Sequence, residues 1–346
     1  MDLLKSKATR RHNTINHQCF VKCVAAVLAG ICIGYWILTR FEITLWKPVY
    51  PLNILLVGDW GRDGSHNQSL VATQMGKVGE KLAIDFVIST GDNFYDTGLS
   101  GIGDPQFATS FTNIYTAPSL QKRWYAVLGN HDYMGNVLAQ LDAALVLRDH
   151  RWFCRRQYQL KRYLCQPPLS GLCNYAVDFF FIDTTPFINE YSLPGIHEMF
   201  DWRGLAPRDI QLQHQMKALD QALEQSTATW KIVVGHHTIR SFGHHGDSKD
   251  LISKVLPILE AHGVNAYING HDHCLQHIKS NDSKVHFLTS GGGSKAWQGI
   301  QKAKKSELHF AYDGQGFLAM SLNERSLNFD FYDAFGNNLH SIHIGK

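Results

Sequence analysis

Short apolar runs punctuate the chain from residue 54 onward, at 54–57, 86–88, 125–128, 179–182, 232–234, 266–268 and 286–288. Each has the length of a buried strand covered on both faces and is too short for a buried helix. Between several of them the pattern loosens to the three- and four-residue spacing of amphipathic helices, at 69–82, 106–114, 137–147, 209–224 and 249–261. This alternation gives way to a β-rich end, with strands expected at 316–322 and 327–332. An α/β chain with so many strands is expected to form a sandwich of two sheets with helices outside, in one domain covering 52–346. The segment 291–306, which opens on three consecutive glycines and carries Lys295, Lys302, Lys304 and Lys305, is expected to be a mobile loop with solvated charges. Residues 155–175 contain Cys165, Cys173 and a double proline, and are read as either a surface insertion or a sequence artefact, with no function assigned.

A different texture precedes this pattern. Residues 1–23 carry Lys5, Lys7, Arg10, Arg11 and Lys22 against a single acid, Asp2, and residues 24–39 carry no charge. As a helix, the fifteen residues VAAVLAGICIGYWIL rise about 22 Å, short of the roughly 30 Å of a bilayer's hydrocarbon core. Extension to Phe20 and Thr39, with Lys22 snorkelling, closes most of that gap. No A-x-A pattern follows Leu38, so 24–39 is read as an uncleaved transmembrane signal-anchor, with a cleaved signal peptide as the alternative. Residues 1–23 would then be a cytosolic basic N-terminus and 40–51 a linker. The remainder is expected in the secretory pathway, either anchored with a lumenal or extracellular domain, or secreted or vacuolar after cleavage. Asn67 and Asn281 each open an Asn-x-Ser triplet and are candidate glycosylation acceptors there.

Composition narrows the function classes. The net charge of +3 over 346 residues is too small for a nucleic-acid partner, which needs a concentrated basic face. Seven cysteines include no CxxC pair, which excludes a zinc-finger reading. Cys165 and Cys173 stay open between a disulfide and free thiols, and Cys274 is expected to be a buried free thiol. Nineteen histidines direct attention to metal chemistry.

Five apolar runs end in glycine followed by a metal-ligand type: LLVG-Asp59, VISTG-Asp92, AVLG-Asn130, IVVG-His236 and YING-His271. In α/β folds ligands bind beyond the carboxyl ends of strands, where glycine lets the backbone approach closely. A single Gly-Asp or Gly-Asn is an ordinary turn. Five in one chain, offering carboxylate, amide and imidazole donors, point to a site for zinc, iron or manganese rather than calcium. No GxxxxGK loop and no Gly-x-Ser-x-Gly elbow offers a competing chemistry.

The motifs Asp59-Trp60-Gly61, Gly91-Asp92-Asn93-Phe94-Tyr95, Gly129-Asn130-His131-Asp132, Val233-Val234-Gly235-His236 and Gly270-His271-Asp272-His273 resemble, in order, those of the purple acid phosphatases. The likeness is to the small, tartrate-resistant, plant type within the calcineurin-like metallophosphoesterases, and it covers roughly residues 53–335. Tyr95 discriminates within that superfamily, because Gly61 stands where other members carry a ligand histidine. The resemblance implies an α/β metallophosphoesterase sandwich of two mixed β-sheets flanked by helices. It implies that Asp59, Tyr95 and His273 hold Fe(III), that Asn130, His236 and His271 hold a divalent zinc, iron or manganese ion, and that Asp92 bridges them. His131 and His245 match the positions of phosphate-binding and proton-donating histidines, while His237 is expected to be structural and Arg240 an exposed loop arginine.

The implied activity is hydrolysis of phosphate monoesters in acid by a metal-bound hydroxide, with a phosphate ester as the partner and a monomer as the expected assembly. Phosphodiester or phosphoprotein hydrolysis on the same centre is the first alternative. A membrane-anchored, non-catalytic binding protein is the alternative of another class, and a redox role for the iron is a third.

Overall fold

A computed structural model of the chain describes residues 51–164, 175–205, 207–300 and 307–346. The basic N-terminus, the apolar segment 24–39, most of the linker, and Cys165 and Cys173 lie outside the described residues. Among the described residues no helix is long and apolar enough to cross a membrane.

The first sheet contains β1 (Leu52–Val57), β2 (Phe86–Ser89), β3 (Trp124–Ala126), β4 (Trp152–Cys154), β12 (Gly316–Leu322), β13 (Ser326–Asp333) and β14 (Asn338–Gly345), in the order β14-β13-β12-β1-β2-β3-β4. Strands β1 to β4 run parallel, and β12 joins β1 antiparallel. The second sheet contains β5 (Tyr158–Tyr163), β6 (Ala176–Phe181), β7 (Trp230–Val234), β8 (Ala266–Asn269), β9 (Leu275–Ile278), β10 (His286–Ser290) and β11 (Leu308–Tyr312), in the order β11-β9-β10-β8-β7-β6-β5. Its strands β6, β7, β8 and β10 are parallel. Both sheets are mixed, as the family resemblance implies.

The pleat explains why these strands are apolar without alternation. Leu52, Ile54 and Leu56 of β1 point between the sheets, where they meet Phe179, Ile232, Ile268 and Met320. Leu55 and Val57 point the other way, into a layer with Val71 and Met75. Those two residues belong to α1 (Gln68–Leu82), which covers the first sheet. On the second sheet, Phe180, Val233 and Tyr267 point outward against Leu212, Leu219 and Leu223 of the covering helix. Both faces of each central strand are therefore buried.

Several expected elements change at their edges. The helix expected at 137–147 is two, α3 (Val137–Leu141) and α4 (Ala143–Arg148), because the Asp142 side chain caps Ala144 N at 2.8 Å. The helix at 249–261 divides into α6 (Lys249–Lys254) and α7 (Leu256–Ala261), where Pro257 removes a backbone donor. Helix 209–224 extends slightly, as α5 (Arg208–Gln225), and 106–114 winds partly as a π-helix at Ala108–Thr112. The preceding short helix α2 is Asn130–Tyr133.

Two readings need correction. Residues 155–175 are not only an insertion: Tyr158–Tyr163 is the edge strand β5, and Arg156 pairs with buried Asp183 at 3.1 Å. The first part of 291–306 is not a loose loop, since Gly291, Gly292, Gly293 and Ser294 are buried. Cys274 is a buried free thiol, as expected, and Cys154 is another.

Candidate metal centre

The carboxyl ends of the parallel strands in both sheets converge on one seam. Asp59 follows β1, Asp92 follows β2 and Asn130 follows β3, whereas His236 follows β7 and His271 and His273 follow β8. Asp59, Asp92 and His271 have φ of 60°, 50° and 69°, a left-handed backbone that non-glycine residues adopt mainly where surrounding structure imposes it. The glycines permit the approach. A Cβ on Gly129 would lie 2.2 Å from Asp92 Oδ1, and one on Gly270 would lie 2.4 Å from Asp59 Oδ2.

Two donor groups result. Asp59, Asp92 and His273 bring ligand atoms within 4.8 Å of one another, and so do His236, His237 and His271. Tyr95 completes the first group: its hydroxyl lies 2.8 Å from Asp92 Oδ2, 2.9 Å from Asp59 Oδ1 and 3.0 Å from His273 Nε2. Asn130 Oδ1 lies 3.2 Å from His236 Nε2, and Asp92 Oδ2 lies 3.4 Å from the same nitrogen, so Asp92 stands between the two groups. All seven sequence-predicted ligands therefore meet in one place.

Proton accounting tests whether cations fit. His273 Nδ1 sits 2.7 Å from the Lys295 carbonyl, which only accepts, so Nδ1 carries the ring proton. Burial holds the His273 pKa down to about 3, leaving a neutral ring with its Nε2 lone pair facing Tyr95. Burial, and then the neighbouring Asp92, push the Asp59 carboxyl well above the usual carboxylate range, and a cation beside the Tyr95 hydroxyl would relieve that cost while meeting the lone pairs of Asp59, Asp92 and His273 around it. His236 Nδ1 is likewise tied to the Thr90 carbonyl at 2.9 Å, which aims Nε2 at Asn130 and Asp92. Burial opposes charge on His236, but the Asp92 carboxylate, together with Asp59 and the Thr90 carbonyl, outweighs it and pushes the pKa up to about 9. A positive charge is favoured where a metal would sit. His271 is held neutral, first by burial and then by His237 and His245. Neutral imidazoles and carboxylates are the donor forms that bind transition metals.

Side chains behind the donors hold them in place. The Asp132 carboxylate accepts from Gly129 N at 2.8 Å, Asn93 N at 2.9 Å, Phe94 N at 3.2 Å, Asn93 Nδ2 at 3.1 Å and Gln140 Nε2 at 2.7 Å. It thereby locks the Asp92 and Asn130 turns together. Thr184 Oγ1 accepts from the backbone of His236 and His237, which leaves its hydroxyl proton for His237 Nδ1 at 2.8 Å. His237 Nε2 then donates to Tyr191 at 3.1 Å. Trp297 stacks on His273, with centroids 3.8 Å apart and planes 4° apart. The sequence singled out neither Thr184, Tyr191 nor Trp297, and it assigned Asp132 no role. Asp132 lay inside a quoted motif, and Tyr191 lies in the stretch 189–209, which the family resemblance matches to a loop near the site without giving it a role; for Thr184 and Trp297 no local signal exists.

His131 and His245 both line a cavity of about 530 Å³ over the donor groups. His131 lies over Tyr95 at 4.5 Å, and its Nδ1 contacts the Asp96 carbonyl at 2.5 Å. His245 stacks on His271 at 3.9 Å and 21°, and its backbone N donates to Asp272 at 2.9 Å. Arg240 pairs instead with Asp247 at 3.0 Å. Asn67 and Asn281 are exposed and away from this cavity's lining.

Comparison with known proteins agrees with this geometry. The calcineurin-like phosphoesterase signature matches residues 52–275. Purple acid phosphatase 3 of Arabidopsis thaliana is 54% identical over 291 residues, covering 84% of this chain and 76% of its own. Tartrate-resistant acid phosphatase type 5 of Homo sapiens is 30% identical over 314 residues, covering 85% and 91%. Among solved structures, GAP50, the anchor in the inner membrane complex of Plasmodium, superposes with a TM-score of 0.71 at 25% identity, covering 85% of this chain and 89% of that one. Purple acid phosphatase PPD1 from yellow lupin (Lupinus luteus) seeds gives 0.59 at 14% identity, covering 85% and 54%, a likeness of fold alone. The chain belongs to the calcineurin-like phosphoesterases and, within them, to the purple acid phosphatases, a family of metal-dependent phosphoester hydrolases.

Proposed function

We propose that this protein hydrolyses phosphate monoesters in acid at a dinuclear centre. In this reading Asp59, Tyr95 and His273 hold Fe(III), Asn130, His236 and His271 hold a zinc, iron or manganese ion, and Asp92 joins them. The observation that carries it is the Tyr95 hydroxyl, which lies 2.8–3.0 Å from ligand atoms of Asp59, Asp92 and His273. Bound metals would supply activated water and neutralise charge developing on the phosphoryl group.

The chain's own residues then have separate tasks. Thr90 O and Lys295 O orient the two imidazoles by accepting their Nδ1 protons. His131, at the cavity wall, binds a phosphoryl oxygen. His245, stacked on His271, gives a proton to the leaving oxygen. The cavity, about 530 Å³, leaves room for an organic group beyond the phosphate.

The test is iron and divalent-metal content, a visible spectrum, and turnover of an aryl phosphate monoester and diester across pH. Two metal ions per chain with at least one of them iron, a phenolate band abolished by Tyr95→Phe, and faster monoester turnover are expected. Diester turnover exceeding monoester turnover would replace the substrate class. A binding role without turnover is the second reading, favoured by the likeness to GAP50, and metal-loaded protein inert toward both substrates would select it.

The proposed domain plan keeps residues 1–23 and 24–39 as a cytosolic flank and a secretory address, anchored or cleaved. N-terminal sequencing of protein recovered from membranes and from medium separates the two. Deglycosylation followed by mass analysis at Asn67 and Asn281 tests entry into that pathway.

A further inference from the structure

Tyr95 is touched by a cation as well as by acceptors. The Arg62 guanidinium carbon lies 3.6 Å from the centroid of the Tyr95 ring. Its Nη1 donates to Asp96 Oδ1 at 2.7 Å, and its Nε is buried without a hydrogen-bond partner among the described residues. A guanidinium that leaves a buried N–H unpaired in order to lie against a ring is held there by the surrounding structure. The arm also starts from a fixed point. Arg62 N donates to Gln68 Oε1 at 3.0 Å, and Gln68 Nε2 donates to Ser110 O at 2.7 Å. The Arg62 side chain is 13% exposed whereas Asp96 is 79% exposed, so water screens the counter-charge far more than the cation.

We infer that Arg62 is a positioning residue for Tyr95 that sets how strongly its phenolate donates to iron. The inference rests on the Fe(III)–Tyr95 reading above. A positive charge over the ring lowers the energy of the π electrons. The visible band of an iron–phenolate moves one of those electrons from ring to metal, so the cation raises the energy that the transition needs. Removing the cation leaves a stronger donor and a band at longer wavelength. A side chain that only filled space would leave the band where it was.

The experiment compares visible spectra of iron-loaded wild type, Arg62→Met and Arg62→Lys at equal iron content. Methionine fills the stack without charge, and its band should move to longer wavelength. Lysine keeps the charge without the flat fork and should fall between the two. A wild-type band that Arg62→Met leaves in place overturns this inference alone. A wild-type holoenzyme without the band overturns the Fe(III) assignment, and this inference with it. If Arg62→Met fails to retain iron, Arg62→Lys decides: a band displaced toward longer wavelength supports the inference, and an unmoved band overturns it.

Discussion

Asp132 collects five N–H groups and lies wholly inside the protein, yet it borders the donors without joining them. Its oxygens fix two turns at once, and an amide in its place would face one or more of those donors with its own N–H. Asp132→Asn is expected to weaken metal retention roughly 10- to 100-fold, the range for groups that support metal ligands. Iron remaining after dialysis against a chelator measures this, and unchanged retention would contradict it. Residues of this kind mark the limit of sequence reading. The seven donors were legible because each follows a strand-end glycine or falls a few residues beyond one, so a local pattern carries a tertiary fact. Thr184 and Tyr191 act on His237 from 53 and 46 residues away, and nothing near them in the chain announces the partner.

Helices and strands were most legible where both faces are buried. Strand β12 was located to the residue, and β1, β7 and β10 were each found within two residues at either end. The edge strand β14 was missed because its exposed pattern contains too few buried positions. The strand β9, Leu-Gln-His-Ile, was missed because its buried middle is polar. The loop after β10 was misjudged from glycine and lysine content. Its glycines let backbone pass close to Asp272 and Gly58, and that packing delivers Trp297 to His273. Such an aromatic pair contributes about 0.5–1.5 kcal/mol. Trp297→Ala should therefore release iron to a chelator roughly 2- to 10-fold more readily. Trp297→Phe should restore most of the difference, and equal release from all three proteins would show that the stack does not hold His273.

Across the whole molecule, the edge where the two sheets meet carries its own titration. His277 of β9 lies between His340 of β14, at 3.3 Å, and His286 of β10, at 3.1 Å, with His309 of β11 beside it. Burial, then the charges of His286, His309, His340 and Lys279, hold the His277 pKa down to about 3. Burial, then Lys279 and His309, hold His286 down to about 4. Both lie below the ordinary value near 6.5, so the unfolded chain takes up these protons first as pH falls. Their contribution to stability is intact above about pH 6.5 and is lost below it, down to about pH 4 for His286 and about pH 3 for His277, at up to ~1.4 kcal/mol per pH unit for each histidine before solvent screening reduces it. Urea midpoints at several pH values should show this slope, and His277→Gln should flatten it; a variant as pH-sensitive as wild type would contradict the assignment. The fold class was legible from strand number and alternation, but this seam was not, because its four histidines come from four strands in two sheets. The same two-sheet construction governs when the centre can exist at all. Asp59 and His273, the first and last of the proposed donors, are 214 residues apart along the chain. At the usual pace of synthesis, about 5–20 residues per second, the growing polypeptide spends roughly 10–40 s with the first donor made and the last absent. No nascent chain that ends before His273 owns the complete proposed ligand set, so metal loading would follow synthesis of the donors of both sheets, in whatever compartment the chain has then reached.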